Sequence, residues 1–292
     1  LSKGAVLIPE ALVSACRQTV ERSKWIDSLP AAVRELQERW GLTLDEPFAA
    51  CEGACAWVAP AWRADGTRAV LKLGVPHLEG WHELHGLRFW NGDPTVRLLA
   101  SDEDLNAMLL ERCEPGVALC ELPESEQDVV IAGLLRRLWR KPPPLHPFRP
   151  LSTMLSSWAG ETRAAARFWP DAGLVQEGLD LLENLAQSTS EDVLLATDLH
   201  AGNVLSAARD PWLVIDPKPF VGDRAYDATQ HLLNCRKRLR SAPEETIQRL
   251  ADLLEVDRKP IRRWLFARAA AEPRDDWTQE SLELARVLAR GI

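Results

Sequence analysis

Two apolar, β-favouring runs, Cys55 to Trp62 and Thr67 to Leu73, stand on either side of Arg63-Ala64-Asp65-Gly66. Asp-Gly between such runs is a strong signal for a β-hairpin, because both residues tolerate the backbone angles a tight reversal requires. A helix-compatible stretch follows from His77 to Trp90, then short strands around Val96-Arg97-Leu98-Leu99 and Ala107-Met108-Leu109-Leu110-Glu111. The first third therefore reads as hairpin, helix, hairpin.

Beyond Cys113-Glu114-Pro115-Gly116 the periodicity turns helical and stays so, apart from a β-like island between 193 and 216. Val130, Leu134, Leu135 and Leu138 recur at helical spacing, and Lys141-Pro142-Pro143-Pro144 must then break the helix. Two further helical zones run from Pro9 to Trp40 and from Glu245 to Ile292. The shift places the boundary near Arg112 to Pro115, giving expected parts at residues 1–113 and 114–292, in an α+β chain.

The balance of 46% apolar and 27% charged among 292 residues is that of a globular protein. With 35 Lys+Arg against 43 Asp+Glu the formal charge is −8, which argues against nucleic acid as a partner and suits a cationic small molecule. The one basic cluster, Arg236-Lys237-Arg238-Leu239-Arg240, reads as a solvated helix face. No run of about 18 apolar residues suggests a membrane span, and Leu1-Ser2-Lys3-Gly4 does not open a signal peptide, so a cytoplasmic location is expected. Cys16, Cys51, Cys55, Cys113, Cys120 and Cys235 read as reduced, packed thiols rather than a disulfide framework or zinc site.

The chemistry is concentrated in the island, Val193-Leu-Leu-Ala-Thr-Asp198-Leu-His200-Ala-Gly-Asn203 through Trp212-Leu-Val-Ile-Asp216-Pro217. If Val204 to Ser206 pairs antiparallel with Trp212 to Ile215, Asn203 and Asp216 come to lie side by side, with Asp198 entering from the preceding loop. Converging Asp and Asn oxygens suit Mg²⁺, which takes hard donors and keeps waters or substrate phosphates in its other positions. Phosphoryl transfer needs such a metal site and a carboxylate that orients the attacking hydroxyl. On this reading Asp198 is the base and Asn203 and Asp216 are the metal ligands.

In the first part, Lys72 stands alone in the apolar strand Ala69-Val-Leu-Lys72-Leu73. It either faces solvent or holds the α and β phosphates of ATP. Glu79 and Glu83 are four apart and share a helix face, so either could pair with it; Glu79 is preferred as nearer the start of the helix. Ala49-Ala50-Cys51-Glu52-Gly53-Ala54-Cys55 stands where a phosphate loop is expected, without any G-x-G-x-x-G pattern, and Gly53 is the nearest candidate for backbone contact.

These motifs, with Gly86-Leu-Arg-Phe-Trp-Asn-Gly-Asp-Pro-Thr-Val-Arg97, Met108-Leu-Leu-Glu-Arg112 and Ile215-Asp-Pro-Lys-Pro-Phe-Val-Gly-Asp223-Arg-Ala-Tyr-Asp227, resemble the aminoglycoside phosphotransferase superfamily. The closest likeness is to its streptomycin 6-kinase and hydroxyurea phosphotransferase branch, in order across roughly residues 20–290. The resemblance implies a protein-kinase-like two-lobed fold. It gives an N-terminal nucleotide-binding lobe with an antiparallel sheet, and a mainly helical C-terminal lobe carrying a small β-hairpin at the active site. It makes Asp198 catalytic, Asn203 and Asp216 magnesium ligands, and Lys72 with Glu79 the phosphate anchor; backbone at Glu111, Arg112 and Cys113 meets adenine. Asp223 and Asp227 brace loop and helix. The family usually has His two residues before the catalytic Asp, and Ala196 in its place puts the loop geometry at issue.

In the same resemblance the acceptor lies against the C-terminal helices, where Glu272, Asp275, Asp276 and Trp277 offer carboxylates and an aromatic face to a guanidinium-bearing aminocyclitol. The expected activity is transfer of the ATP γ-phosphate to a hydroxyl of streptomycin or a relative. A kinase for hydroxyurea or another metabolite and a non-catalytic nucleotide-binding module are the alternatives.

Overall fold

The computed structural model describes residues 6–49, 55–187, 192–273 and 278–292. Its chain divides into two compact units, Leu1–Gly116 and Val117–Ile292.

The first unit contains α1 (Glu10–Cys16), α2 (Val20–Trp40), β1 (Thr43–Leu44), β2 (Ala56–Trp62), β3 (Arg68–Gly74), α3 (Glu83–Trp90), β4 (Leu98–Asp102) and β5 (Ala107–Glu111). Its five strands form one sheet in the order β1-β2-β3-β5-β4, all neighbours antiparallel. The hairpin turn is where Asp-Gly placed it: Gly66 takes φ 81°, its amide bonds to Arg63 O, and Asp65 Oδ1 accepts from Thr67 N at 2.9 Å. Thr19 caps α2 by accepting from Arg22 N, and Gly41 ends it in the left-handed region at φ 61°. Between these caps Ile26, Leu29, Val33 and Leu36 recur every three or four residues and form one apolar stripe. That stripe packs with Trp57, Leu71, Leu73 and Leu109 into the unit's core.

The helix expected from His77 is shorter than its apolar pattern suggests. A 3-10 turn occupies Gly80–His82, and α3 proper begins at Glu83. This boundary decides which carboxylate reaches Lys72.

The second unit opens with the short strand β6 (Pro115–Ala118), which straddles the division, and continues with α4 (Glu124–Leu138), α5 (Leu151–Ala164) and α6 (Ala172–Ala186). The island supplies β7 (Val193–Leu195), β8 (Val204–Ala207), β9 (Trp212–Val214) and β10 (Phe220–Gly222). Then come α7 (Arg224–Asn234), α8 (Arg236–Ser241), α9 (Pro243–Leu254), α10 (Arg258–Ala271) and α11 (Gln279–Ala289). β7 pairs antiparallel with β10, and β8 with β9. α10 is the axle: Ile261, Trp264, Leu265, Phe266, Ala267 and Ala270 are all fully buried, and α6, α7 and α11 pack around it. Asp223 caps α7 through Ala225 N and accepts from Trp264 Nε1 at 2.8 Å, tying the start of α7 to this axle.

Within the basic cluster Arg236 and Lys237 are exposed as expected, and Arg238 departs from that role. Arg238 turns inward and makes two bonds, 2.6 and 2.7 Å, to the buried Asp128 on α4. Among the cysteines, Cys16, Cys113 and Cys235 are buried, and burial pushes the Cys235 thiol up to about 11; Cys120 is exposed.

Candidate active site

In the second unit the hairpin has the register Val204↔Val214, Leu205↔Leu213, Ser206↔Trp212. Continuing it by one residue, Ile215 N donates to Asn203 O at 2.9 Å, so Asp216 leaves β9 beside Asn203. Asn203 Nδ2 donates to the Asp198 carbonyl at 3.0 Å, which orients the amide and draws the loop from Asp198 onto the hairpin. The three polar residues singled out in the island are thus assembled by one strand pair and one side-chain bond.

The loop that carries Asp198 is strained and firmly held. Thr197 adopts φ 49°, unusual for a β-branched residue, and Asp198 N closes a three-residue turn onto Ala196 O at 2.7 Å. Thr197 N donates to Asp227 Oδ1 at 2.6 Å, and its hydroxyl donates to Lys218 O at 2.6 Å. Ala196 N donates to Asp227 Oδ2 at 3.0 Å, and its carbonyl accepts from Lys218 N at 2.8 Å. The position where relatives were expected to carry His is therefore fixed through its backbone, and Ala196 is fully buried. Trp139 Nε1 gives Asp227 a third donor at 3.1 Å. Burial pushes the Asp227 carboxyl up to about 6, against the pull of these donors. His200 accepts from Gly202 N at 3.1 Å through Nδ1, capping the turn Ala201–Asn203, a structural task.

Lys218, two residues past Asp216, was not anticipated: its ammonium lies 2.5 Å from Asp216 Oδ1 and is largely buried. Its only sequence signal is the i, i+2 spacing across Pro217. Gln230 and Arg268 were also missed. Gln230 Nε2 donates to Asp198 Oδ1 at 2.7 Å, and Arg268 Nη2 donates to Gln230 Oε1 at 2.7 Å. Gln230 does stand one helical turn after Asp227, on the same face of α7, which is a usable signal.

In the first unit Lys72 is buried on β3, opposite Val58 and Met108. Glu83 carries it, with Oε1 and Oε2 at 2.6 and 2.7 Å. The preference for Glu79 is corrected here. Proximity to the helix start was the right criterion, but α3 starts at Glu83 rather than at His77 as the apolar pattern implied, and Glu79 lies ahead of the 3-10 turn. Both partners are almost fully enclosed, so the ion pair is shielded from solvent. Glu111 ends β5: its amide donates to Arg97 O at 2.9 Å, and its carboxylate accepts from Arg97 N at 3.0 Å. Arg112 follows over the Phe48 ring, and Cys113 is buried. Gly53 lies outside the described residues.

Glu272 caps the C-terminal end of α10, where both carboxylate oxygens meet Arg268 at 3.3 Å. It borders a cavity of about 390 Å³ within the second unit, lined also by Gln230, Asn234, Arg240, Arg268 and Ser281. Asp275, Asp276 and Trp277, named with it from sequence, lie outside the described residues. Among the described residues, no group of three or more His, Cys, Asp or Glu is arranged to hold a metal ion, and no helix is long and apolar enough to cross a membrane.

The geometry can be set beside known proteins. Residues 39–276 match the model of the aminoglycoside/hydroxyurea antibiotic resistance kinase family. The streptomycin 6-kinase of Streptomyces glaucescens is 35% identical over 90% of this chain and 88% of its own length. The hydroxyurea phosphotransferase of Kitasatospora aureofaciens is 42% identical over 72% of this chain and 63% of its own. A spectinomycin phosphotransferase solved with ADP and spectinomycin superposes with a TM-score of 0.54 at 13% identity, covering 89% of this chain and 93% of that one. That likeness is one of fold, and it makes the α+β architecture kinase-like. With the family model spanning most of its length and curated kinases matching nearly all of it, the chain belongs to the aminoglycoside/hydroxyurea antibiotic resistance kinases.

Proposed function

We propose that this small-molecule kinase moves the γ-phosphate of ATP to a hydroxyl of streptomycin or a related aminoglycoside, with Mg²⁺, in the cytoplasm. The observation that carries the reading is the Asp198, Asn203 and Asp216 assembly on a braced loop. Similarity to the streptomycin 6-kinase over nine-tenths of the chain selects the acceptor class.

Asp198 would accept the hydroxyl proton as the phosphoryl group departs; a positioned base contributes on the order of 10² to 10⁴ in rate. Asn203 and Asp216 are the residues that would hold Mg²⁺. The donors fit, because the Asn203 amide is oriented by its bond to Asp198 O and Asp216 adjoins it as a hard carboxylate. When bound, the metal neutralises charge on the transferring phosphates. Lys72, held by Glu83, is the side chain that would grip the α and β phosphates, with backbone near Glu111, Arg112 and Cys113 meeting adenine and Gly53 close to phosphate. A cationic acceptor would draw on Asp275, Asp276 and Trp277 as well as Glu272, whose carboxylate is already engaged by Arg268.

A second reading, hydroxyurea as acceptor, is favoured by the 42% identity to a hydroxyurea phosphotransferase. The test is ADP release from Mg-ATP over streptomycin, other aminoglycosides, hydroxyurea and simple sugars, beside Asp198→Ala. Turnover that needs both streptomycin and Asp198 is the expected result. Turnover with hydroxyurea alone moves the assignment to the second reading, and nucleotide binding without turnover on any of these acceptors removes both named acceptors.

A further inference from the structure

Gln230 stands between two groups of opposite hydrogen-bonding character. Its Nε2 donates to Asp198 Oδ1 at 2.7 Å, and its Oε1 accepts from Arg268 Nη2 at 2.7 Å. A guanidinium has donors only and an ionised carboxylate acceptors only, so the amide has one admissible orientation. Reversing it would set donor against donor and acceptor against acceptor.

The anchor at the far end is itself immobilised. Arg268 is 3% exposed and lies over the faces of Tyr226 and Trp158, with its guanidinium carbon 4.9 and 5.7 Å from the ring centroids. Nη1 donates to Thr229 Oγ1 at 2.7 Å, and two further contacts reach Glu272 at 3.3 Å. Gln230 rises from α7 and Arg268 from α10, and these two helices pack against each other. The strained loop fixes the backbone of Asp198, but the carboxylate still turns about two side-chain torsions, and the Gln230 bond fixes that rotation. A misplacement of about 1 Å in a reacting group can cost on the order of 10² in rate.

We infer that Gln230 is a positioning residue for phosphoryl transfer, holding the Asp198 carboxylate in its working rotamer by transmitting the fixed geometry of Arg268. The inference rests on the kinase reading above and adds to it a residue outside the loop and hairpin.

Gln230→Glu separates positioning from mere support of the buried arginine. A glutamate satisfies Arg268 better than an amide does, yet it has no proton to give Asp198 and sets a second carboxylate against it. The comparison is made as a kcat–pH profile, because two adjacent carboxyl groups favour sharing a proton and only the ionised glutamate has none to give Asp198. The expected result is a kcat lowered about 30-fold or more, with both KM values within about threefold of wild type and the melting temperature unchanged or raised. Gln230→Met should lose kcat as well, with a lowered melting temperature because Arg268 loses an acceptor. A Gln230→Glu enzyme with kcat within about threefold of wild type overturns the inference.

A crystal structure of nucleotide-free Gln230→Glu reads the same question without turnover. Displacement of the Asp198 carboxylate supports the positioning role, and an unmoved carboxylate overturns it. Wild-type turnover that survives Asp198→Ala strikes at the kinase reading instead, leaving the crystallographic answer about Gln230 intact.

Discussion

Two aspartates of the second unit are equally buried and oppositely furnished. Asp128 on α4, 1% exposed, meets two guanidiniums, Arg238 through two bonds and Arg249 Nε at 2.9 Å, and also the His231 ring at 2.9 Å. Asp227 on α7, 0% exposed, meets neutral donors: the amides of Ala196 and Thr197 and the Trp139 indole. Burial alone would raise both carboxyls. At Asp128, bonds from Arg238 and His231 overcome it and hold the group well below the usual carboxylate range, whereas at Asp227 burial prevails and the value rises to about 6. A carboxylate matched by charge locks helices α4, α7, α8 and α9 to one another. A carboxylate matched only by dipoles serves a different end: it shapes the loop beneath Asp198 and loses part of its ionisation in doing so.

The sharpest test of that contrast is removal of Asp128. Asp128→Ala leaves Arg238 and Arg249 without their shared acceptor and should cost about 3–5 kcal/mol by urea unfolding, since breaking a buried pair strands the surviving charge. A loss below about 1 kcal/mol would show that both guanidiniums simply return to water.

Asp227→Asn keeps the volume and one acceptor but turns an amide toward donors, so it should cost about 1–3 kcal/mol. Its effect on kcat should exceed its effect on folding, because Thr197 is released from the left-handed region. Equal losses in stability and kcat would demote Asp227 from loop template to ordinary core residue.

The pH dependences should run in opposite directions. Asp128, depressed on folding, contributes stability that is present above the ordinary aspartate value and is lost as pH falls toward its folded value. Asp227, raised from 3.8 to about 6, contributes stability that is present below 3.8 and is lost as pH climbs through about 6. At about 1.4 kcal/mol per unit, Asp227→Asn should cost up to about 3 kcal/mol more at pH 4 than at pH 7. A penalty independent of pH would contradict the raised value.

The smallest effect belongs to a pair lacking both kinds of shelter. Arg163 and Glu183, 2.7 Å apart, are 44% and 42% exposed, and Arg163→Ala should cost less than about 1 kcal/mol in a thermal melt. A larger loss would mean that burial is not what separates strong from weak carboxylate partners here.

Much of the scaffold is readable from local pattern. The Asp65-Gly66 turn, the β8 and β9 hairpin and the placing of Asn203 beside Asp216 depend on short stretches whose chemistry is self-contained. Lys72 is conspicuous because a charge in an apolar strand demands a partner. The choice between Glu79 and Glu83 turned on a helix boundary, which a 3-10 turn shifted without altering the apolar spacing. Gln230, Arg268 and the Asp128 cluster are illegible for another reason. They join helices to the loop of Asp198 or to one another through partners 32, 38 and 110 residues apart, and nothing in a helix's own periodicity says which polar side chain will find which. Arg238 shows the point, since a run of basic residues conceals the one that turns inward.

The axle α10 also sets an order of events on the ribosome. Its flanks are covered by α6, α7, α9 and α11, and it carries Arg268, from which Gln230 takes its orientation. As the chain is made, α6 and α7 emerge before α10, and the faces it will cover stay open until then. The loop bearing Asp198 is complete in sequence well before the helix that steadies its carboxylate exists. A nascent second unit stalled before Arg258 therefore lacks both this axle and the Arg268 anchor, and the enzyme can become competent only late in its own synthesis.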